Sequence, residues 1–398
     1  MRRRPRFSNR ADFEVEPSAL AQVFAGARAA GEVLDLTETN PTRVGLSRAR
    51  PLVAALGDAA GARYEPEPFG TPSAREAVAA WYAERGHAVS PCRVVLGAST
   101  SEAYGVLFKL LADAGDDVLV PAPSYPLFSY LARLEGVETR TYPLLADEGF
   151  RLDLAAIERS VGPRTRAIVV VHPNNPTGTL VREDDAAALD ALAASKGLAI
   201  LSDEVFLEFV RRPFPAGARG SFFGPRRALT FVLGGLSKAL ASPQLKLGWT
   251  IACGPDEDVV AALARLEVIA DTYLSVSTPV QVALSTLLAA QPAVRDELMA
   301  RIDENRAALD RAVAAASPLP VRVLPSHGGW LALLEVPRIV PEAEWVTRLA
   351  CERGVLVQPG YFFDLDDGGT LVLSLIPEPP CFAEGVARVL ALVRELAS

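Results

Sequence analysis

The amino-acid sequence predicts an α/β protein with a mostly parallel central sheet that is covered by helices on both faces. Helical and strand patterns alternate through the middle of the chain, and the predicted strands are short runs of aliphatic and β-branched residues. Such continuous apolar runs are typical of strands that are buried on both faces. Polar and glycine-rich motifs directly follow five of these strands, at the edge where open α/β sheets bind ligands.

Length and composition fit a folded protein of two domains. The chain has 398 residues, of which 50% are hydrophobic and 22% charged, so we expect a large core and no global disorder. The formal net charge is −8. An acidic charge balance argues against a nucleic-acid-binding protein, because such proteins usually carry a basic face.

No sequence feature indicates a secreted, membrane or metal-binding protein. The basic start of the chain is not followed by an apolar segment, and the longest apolar runs are far too short to cross a bilayer. The four cysteines and three histidines are scattered, without the spacing of a metal site or a disulfide framework. We therefore expect a cytoplasmic protein with free thiols, no membrane partner and no metal.

Each element of the sheet region is predicted from its own pattern. A helix over 72–86 begins with a proline, carries apolar side chains at helical spacing and ends at a glycine. A second helix is predicted over 101–113. The segments with a predicted strand that runs into a polar turn are 93–100, 117–125, 166–178, 198–206 and 229–238.

The pattern changes in the last third of the chain. After residue 255 it is helical for some sixty residues, with a break at Ser277–Pro279. From about residue 320 short predicted strands alternate with helices near 341–353 and 381–396. This mixture indicates a separate, smaller α+β unit.

The predicted domain boundaries follow from this change. Residues 45–285 form the large domain, and residues 1–44 together with 286–398 form the small one. The first segment is assigned to the small domain because 33–41 reads as a short strand that leads into a turn.

Lys238 is the first candidate for chemistry. Only four of the 40 basic residues are lysines, and two of them lie within the stretch GGLSKALASPQLKLGW at 234–249. Unlike a guanidinium, a lysine amine can lose its proton and form an imine with an aldehyde. Lys238 closes an apolar strand, so its amine is expected at the ligand edge of the sheet; the alternative is a surface lysine at a helix start.

Two polar residues follow neighbouring strands. Asp203 comes directly after a buried strand, and a buried carboxylate needs a cationic partner, which a protonated heteroaromatic nitrogen would provide. A helix N-cap or a structural ion pair is the alternative. Asn175 lies in the turn HPNNPTG at 172–178, where proline and glycine hold it rigidly as a hydrogen-bond donor.

Two further motifs are ambiguous by themselves. Small residues in GASTSEA at 97–103 lead into a predicted helix, whose free N–H groups suit a phosphate, although a Ser/Thr N-cap explains the motif equally well. Tyr125 ends a strand, where its ring could cover a flat ligand or pack in the core.

In this order the motifs resemble the class I/II aminotransferases, the fold type I enzymes that use pyridoxal 5′-phosphate. The most specific motifs are NNPTG at 174–178, SDE at 202–204 and LSK at 236–238, about thirty residues apart. The resemblance covers roughly residues 33 to 395. It implies the three-layer α/β/α fold of these enzymes with a smaller α+β domain.

The resemblance also implies residue roles. Lys238 would form the imine with the cofactor and then act as the base, and Asp203 would pair with the pyridinium nitrogen. Asn175 would bond the phenolate oxygen, Tyr125 would stack on the ring, and Tyr64 would reach the phosphate of a neighbouring subunit in a homodimer with shared sites. The remaining cofactor-binding residues implied are Ser99, Thr100, Ser101, Phe206, Ser237 and Lys246.

Three positions depart from the family pattern. Phe206 stands where a tyrosine is usual, and Lys246 stands where an arginine is usual. Val372 stands where the family has the arginine that grips the substrate α-carboxylate, and no arginine lies between residues 354 and 387. Either another arginine, for which Arg43 is a candidate, provides this contact, or the substrate has no α-carboxylate at this place.

The expected function is amino-group transfer between an amino acid, or a related amine, and a 2-oxo acid in two half-reactions. A β-lyase or a decarboxylase with the same cofactor is the alternative, to which the missing arginine adds weight. A regulator of the same fold would carry a DNA-binding domain ahead of it, but only some thirty residues precede the first predicted strand.

Overall fold

The computed structural model describes residues 7–365 and 368–397. Its main feature is an eight-stranded sheet. The strands of this sheet are β2 (Val94–Gly97), β3 (Asp117–Ala122), β4 (Glu138–Leu145), β5 (Arg151–Leu152), β6 (Thr165–Val171), β7 (Ala199–Asp203), β8 (Thr230–Gly235) and β9 (Gly248–Cys253). Their order across the sheet is β2-β9-β8-β7-β6-β3-β4-β5.

The other strands belong to two smaller sheets: β1 (Leu34–Asp35), β10 (Arg322–Val323), β11 (Leu331–Glu335), β12 (Val355–Leu356), β13 (Gln358–Pro359) and β14 (Thr370–Ser374). The α-helices are α1 (Ala19–Ala30), α2 (Pro72–Ala83), α3 (Thr100–Leu111), α4 (Phe128–Leu134), α5 (Leu154–Ser160), α6 (Glu183–Lys196), α7 (Leu236–Ala239), α8 (Asp256–Tyr273), α9 (Thr278–Ala289), α10 (Gln291–Ala315), α11 (Glu342–Arg353) and α12 (Pro379–Ala397).

The large sheet is mostly parallel, as predicted. Strands β8, β7, β6, β3 and β4 run parallel to their neighbours within this group. Strand β9 is antiparallel to both β8 and β2, and β5 is antiparallel to β4. The parallel strands therefore direct their carboxyl ends to one edge, where the predicted motifs lie.

Alternating residues of the sheet are buried in two different cores, which confirms the three-layer arrangement. On β7, Ile200 packs into one core together with residues of α2, α6 and α9. Its neighbour Leu201 packs into the other core together with residues of α3, α4 and α8. Both side chains have no exposed surface, which explains why this strand reads as a continuous apolar run.

The last third of the chain forms a second, smaller sheet. It is antiparallel, with the order β10-β11-β14-β13, and helices α10, α11 and α12 pack beside it. Strand β1 near the start of the chain pairs with β12 in the register Leu34↔Val355, so the first segment contacts this part of the chain. The boundaries proposed at residues 45 and 285 stay a prediction.

Two absences among the described residues concern the membrane and metal-binding classes of protein. In 7–365 and 368–397 no helix combines the length and apolar character needed to cross a membrane. Within the same ranges no cluster of three or more His, Cys, Asp or Glu side chains is placed to hold a metal ion.

Candidate active site

Two glycines bring Lys238 to the carboxyl edge of the sheet. Gly234 and Gly235 end β8, and a Cβ on Gly234 would lie only 2.5 Å from the indole nitrogen of Trp249 on β9. A Cβ on Gly235 would lie 3.0 Å from the Cα atom of Gly248. Because both positions lack a side chain, β8 and β9 approach closely, and the short helix α7 that carries Lys238 starts directly at the sheet edge.

The amine of Lys238 lies in an aromatic surrounding. Its Nζ atom is 4.8 Å from the ring centroid of Trp330 and 5.4 Å from that of Phe206. Burial lowers the pKa of Lys238 to about 8, while the nearby Asp203 charge acts in the opposite direction. About a tenth of the amine is therefore neutral, and hence nucleophilic, at pH 7, which is far more than for an ordinary lysine.

Asp203 ends the neighbouring strand β7, and its carboxylate is the counter-charge of the Lys238 amine. Burial raises the pKa of its carboxyl to about 6, which is opposed by hydrogen bonds from Val205 and Tyr104 and by the charge of Lys238. The amide of Val205 donates to Oδ1 at 3.2 Å, and the hydroxyl of Tyr104 donates to Oδ2 at 3.1 Å. A carboxylate with this limited support would be stabilised further by a cationic ring nitrogen.

Tyr104 is a site residue that the sequence did not reveal. It lies on the sheet-facing side of α3, is 2% exposed and packs edge-on against Phe128. Burial and the Asp203 charge hold the pKa of Tyr104 well above its usual value, so the phenol keeps its proton and donates. In the sequence, Tyr104 belongs to the apolar stripe of a predicted helix. The signal that could have pointed to its role is the hydroxyl group that it adds to this stripe.

Trp330 is the second residue that was missed. It precedes β11, is 2% exposed, and contacts Phe206 and Phe209 edge-on. Its indole nitrogen is a buried atom without a hydrogen-bond partner among the described residues, as is the hydroxyl oxygen of Ser124 beside Tyr125. The motif GGW at 328–330 gave no sign that Trp330 contacts Lys238, because only the fold brings the two residues together.

The turn that carries Asn175 is held from both sides. The side chain of Asn174 donates to the Pro123 carbonyl at 3.1 Å and accepts from the Thr177 hydroxyl at 2.9 Å. Gly178 touches the segment before Trp330: a Cβ on Gly178 would lie 2.2 Å from the Gly328 carbonyl oxygen. The rigid turn expected at Asn175 is therefore present, and Asn174 is one of the residues that fix it.

The start of α3 offers a cradle at the same edge. Ser99 is its N-cap, and its hydroxyl accepts from the Glu102 amide at 3.1 Å. A Cβ on Gly248 would lie 3.3 Å from the Thr100 nitrogen, so this glycine keeps space open next to that amide. Thr100 and Ser101 begin the helix, where backbone N–H groups suit an anion.

The remaining predicted cofactor residues differ in exposure. Tyr125 is 43% exposed, and partial burial together with the charge of Asp203 raises its pKa. Phe206 is buried, and Ser237 is partly buried beside Lys238. Lys246 is exposed, with a φ of +51° after a 3-10 helix.

Tyr64 and the two substrate-binding candidates, Arg43 and Val372, also differ in exposure. Tyr64 is 71% exposed. The side chain of Arg43 is 72% exposed and pairs with Glu38 at 3.7 Å. Val372 is 1% exposed and packs in an apolar cluster.

These residues fit pyridoxal phosphate. The set combines an amine with a lowered pKa for an aldehyde, a carboxylate with a raised pKa for a ring cation, an exposed aromatic side chain and a helix start for a phosphate. Two buried polar atoms, in Ser124 and Trp330, have no hydrogen-bond partner among the described residues, and Gly248 leaves room next to the Thr100 amide at the start of α3.

Comparison with known proteins identifies the class. The family described as aminotransferase class I and II matches residues 29–375, so the chain belongs to this family. It is therefore a transferase, an aminotransferase, and its family uses pyridoxal phosphate.

Individual relatives agree with this class. The aspartate/prephenate aminotransferase of Thermus thermophilus is 30% identical over 308 residues, which is 76% of each chain. The alanine aminotransferase of Mycobacterium tuberculosis is 28% identical over 285 residues, 71% of this chain and 60% of the relative.

Solved structures extend the likeness to almost the whole chain. A double mutant of Thermus thermophilus aspartate aminotransferase superposes with a TM-score of 0.83 and 26% identity, covering 98% of this chain and all of the other. The alanine aminotransferase of Pyrococcus furiosus gives a TM-score of 0.87 with 98% and 100% coverage. At 23% identity this second likeness speaks for the fold alone.

Proposed function

We propose that this aminotransferase binds pyridoxal phosphate through Lys238 and moves an amino group from an amino acid, or a related amine, to a 2-oxo acid in two half-reactions. The observation that carries the proposal is the placement of Asp203 at the end of β7 and of Lys238 on α7, directly after the adjacent parallel strand β8. Each charge shifts the pKa of the other group, as expected for a pair that flanks one ligand.

The bound cofactor supplies an electron sink for the pair released when the Cα proton leaves the substrate. Asp203 would keep a proton on the ring nitrogen, and Tyr104 holds Asp203 in place. Asn175 would bond the phenolate oxygen, Tyr125 would cover the ring, and the amides of Thr100 and Ser101 would hold the phosphate. Lys238 would be the base that takes the proton from the substrate Cα and gives it back to the reacting carbon.

The proposed partners are small molecules and a second copy of the chain. The names of the relatives refer to aspartate, prephenate and alanine, which supports an amino-acid donor or a related amine. Exposed apolar side chains on α8, Val260, Val268 and Tyr273, support a homodimer, because a second copy would cover them. Tyr64, which lines one cavity together with Tyr273, would then reach the partner's phosphate site.

A β-lyase or decarboxylase reaction with the same cofactor is the second candidate. The observation that favours it is Val372, which replaces the expected carboxylate-binding arginine and is buried among apolar side chains. Release of pyruvate and ammonia, or of carbon dioxide, from an amino acid without any 2-oxo acid would establish this candidate in place of transamination.

Absorbance spectroscopy tests the proposal. Addition of pyridoxal phosphate to the apoprotein is expected to give a yellow protein, and a good amino donor should bleach this absorbance. Lys238→Ala should lose both the yellow absorbance and turnover. Lys196→Ala, which alters an exposed lysine paired with Glu158 on another part of the surface, is the matched control and should keep both. A protein that stays colourless with the cofactor would refute the proposal.

A further inference from the structure

We propose that the ring faces of Trp330 and Phe206 stabilise the protonated amine of Lys238, so that this lysine can hold a proton even when the Asp203 carboxylate serves another cation. The inference rests on the proposed function for the role of Lys238 as a base. It deepens that role by adding two aromatic side chains to the group that carries the proton. The geometry of these side chains around the amine carries the inference.

The amine of Lys238 has few partners other than aromatic rings. Its Nζ atom lies over the Trp330 ring at 4.8 Å from the centroid and over the Phe206 ring at 5.4 Å. Both distances are within the range of about 6 Å at which the negative face of an aromatic ring attracts a cation. In the part of the chain that the structure describes, no group forms a hydrogen bond with this Nζ atom, and Asp203 is the only charged group that shifts the pKa of the lysine.

Packing fixes the two rings in this position. Trp330 is 2% and Phe206 8% exposed, and their rings meet edge-on with centroids 5.4 Å apart. Phe209 contacts Trp330 in the same way at 5.2 Å. The Gly329 amide donates to the Phe209 carbonyl at 3.1 Å, and a Cβ on Gly328 would lie 2.5 Å from the same oxygen. The two aromatic segments therefore pack directly on each other, and neither ring can turn away from the amine without disturbing the core.

The titratable groups near the amine leave this role to the rings. Asp203 on β7 is the counter-charge of Lys238, but under the proposed function the cationic ring nitrogen of the cofactor pairs with this carboxylate. Burial and the Asp203 charge raise the pKa values of Tyr104 and Tyr125, so neither phenol becomes a second anion near neutral pH. With the cofactor bound, the two ring faces are therefore the main support that the described residues offer to a protonated Lys238.

A stabilised ammonium group matters at one point of the reaction. Lys238 would be a cation after it takes the proton from the substrate Cα and until it gives this proton back to the reacting carbon. Dehydration by itself would make the amine a poor base, because a surrounding of low polarity disfavours the charged form. A ring face offsets part of this loss. Because a ring face does not accept the proton from the lysine, the amine stays free to return it.

Fluorinated tryptophan tests the inference with little change in the shape of the site. Fluorine atoms on the indole weaken the negative charge of the ring face, whereas the ring keeps nearly the same size and the same place. The chain has four tryptophans, which can all be replaced by trifluorotryptophan during expression. The measured quantity is the pH midpoint of Lys238 in the full-length apoprotein. It follows from the rate of carbamylation by cyanate, which only the neutral amine undergoes, measured at each pH by mass spectrometry of the peptide that contains Lys238.

A weaker ring face should make the protonated amine less stable. We expect fluorination to lower the midpoint of Lys238 by about half a pH unit to one and a half units, which corresponds to the usual strength of a cation–π contact. Lys196, which is exposed and pairs with Glu158, reacts in the same sample and should keep its midpoint. An unchanged midpoint of Lys238 would refute the inference, because the burial and packing of Trp330 are the same in both proteins.

Trp330→Phe is the matched control variant. It keeps an aromatic ring beside the amine, and fluorination of the remaining tryptophans should then leave the midpoint of Lys238 where it is. A fall of the midpoint in the fluorinated variant would place the effect at another tryptophan, and the inference would be wrong. If Trp330→Phe does not fold, the midpoint of the fluorinated unaltered chain decides the question.

Phe206→Leu separates the effect of a ring face from the exclusion of water. Loss of the ring face should lower the midpoint of Lys238, whereas loss of a mere cover would admit water and raise the midpoint toward that of an ordinary lysine. A midpoint that rises or stays equal would contradict the role of Phe206.

The outcomes also separate this inference from the function on which it rests. A protein that turns yellow with pyridoxal phosphate, but whose Lys238 midpoint does not respond to fluorination, would keep the proposed function and overturn the inference. A midpoint that falls as expected in a protein that stays colourless with the cofactor would establish the contact of the amine with the rings and refute the role of Lys238 as a base.

Discussion

At the scale of single residues, the site is a pair of oppositely charged groups whose pKa values are both shifted toward neutrality. Burial lowers the pKa of Lys238 to about 8 and raises that of Asp203 to about 6. Few hydrogen bonds or ion pairs offset the burial of either charged group. The pair is therefore adapted to a ligand that provides an aldehyde for one group and a cation for the other.

The lowered pKa of Lys238 predicts the pH dependence of cofactor uptake. Only the neutral amine attacks an aldehyde, and with a pKa of about 8 its neutral fraction rises about tenfold from pH 7 to pH 9 and then levels. The rate constant for incorporation of pyridoxal phosphate, measured by stopped-flow absorbance, should follow this curve. A rate that keeps rising tenfold per pH unit up to pH 10 would instead indicate an ordinary lysine.

Tyr104→Phe tests the support of Asp203. Loss of the Tyr104 hydroxyl removes a donor to the Asp203 carboxylate, which disfavours the charged form and raises its pKa. A hydrogen bond to a charged group contributes about 1.5–3 kcal/mol. The affinity for pyridoxal phosphate and kcat should therefore fall about tenfold to a hundredfold. The fall should be larger at pH 6 than at pH 8, because protonation of Asp203 adds to it.

Tyr130→Phe is the control for this substitution, since Tyr130 is half exposed on α4, and it should leave both quantities unchanged. A pH-independent loss in Tyr104→Phe would show that Tyr104 acts only in packing.

The two missed residues show the limit of sequence reasoning at this scale. Lys238 and Asp203 were predictable because each ends an apolar strand, where a charged side chain has no packing role. Tyr104 and Trp330 lie among apolar neighbours in sequence, where an aromatic side chain needs no further explanation. Their contacts, Tyr104 with Asp203 and Trp330 with Lys238, join segments that are 99 and 92 residues apart, which no local pattern encodes.

At the scale of elements, the position of α3 relative to β9 decides whether a phosphate has room. Ser99 caps the helix, so the N-cap explanation of its motif is correct for that residue. The cap and an anion site are compatible, because an N-cap side chain satisfies one amide and leaves others of the first turn available. The proximity of Gly248 to Thr100 is a tertiary contact and could not be predicted from either segment.

Gly248→Ala tests this contact. The added Cβ would meet the Thr100 nitrogen at 3.3 Å and the Gly234 carbonyl at 3.1 Å, so the helix start must shift away from the strand at a cost of about 1–3 kcal/mol. We expect the affinity for pyridoxal phosphate to fall about tenfold, and the affinity for pyridoxal, which has no phosphate, to change much less.

Gly26→Ala on α1 is the control for the added methyl group, because its Cβ would meet nothing within 4 Å. Both affinities can be measured by the absorbance change on titration of the apoprotein. An equal loss for the two ligands in Gly248→Ala would mean that the start of α3 does not hold the phosphate.

At the scale of the whole molecule, the alternation of helices and strands predicted the class of fold and the strands that the polar motifs follow. This alternation did not reveal that β9 is antiparallel to its neighbours or that β5 extends the sheet. The direction of a strand depends on the edge of the sheet at which the chain re-enters it, which the local pattern does not encode. The predicted helix over 72–86 ends earlier, at Ala83, with the turn continuing to Gly86 at a φ of +84°. Elements were thus predictable from local pattern, and their pairing was not.

Mixed dimers test whether the active site is shared. If Tyr64 completes the partner's site, Tyr64→Ala and Lys238→Ala should each be nearly inactive. After mixing and subunit exchange, about a quarter of the normal activity should return, since half of the dimers then hold one intact site. The measurement is turnover after exchange, with molecular mass from light scattering as a control. No recovery in a mixture that has exchanged would mean that each site is complete within one chain.

The contact between Gly178 and Gly328 has a mechanical consequence. The Gly178 carbonyl accepts from the amides of His327 and Gly328 at 2.9 and 3.0 Å, and no side chain separates the two backbones. These segments cannot part without losing both hydrogen bonds, so the contact ties the turn of Asn175 to the segment that leads to Trp330, and a substitution that pushes the two backbones apart would displace both at once.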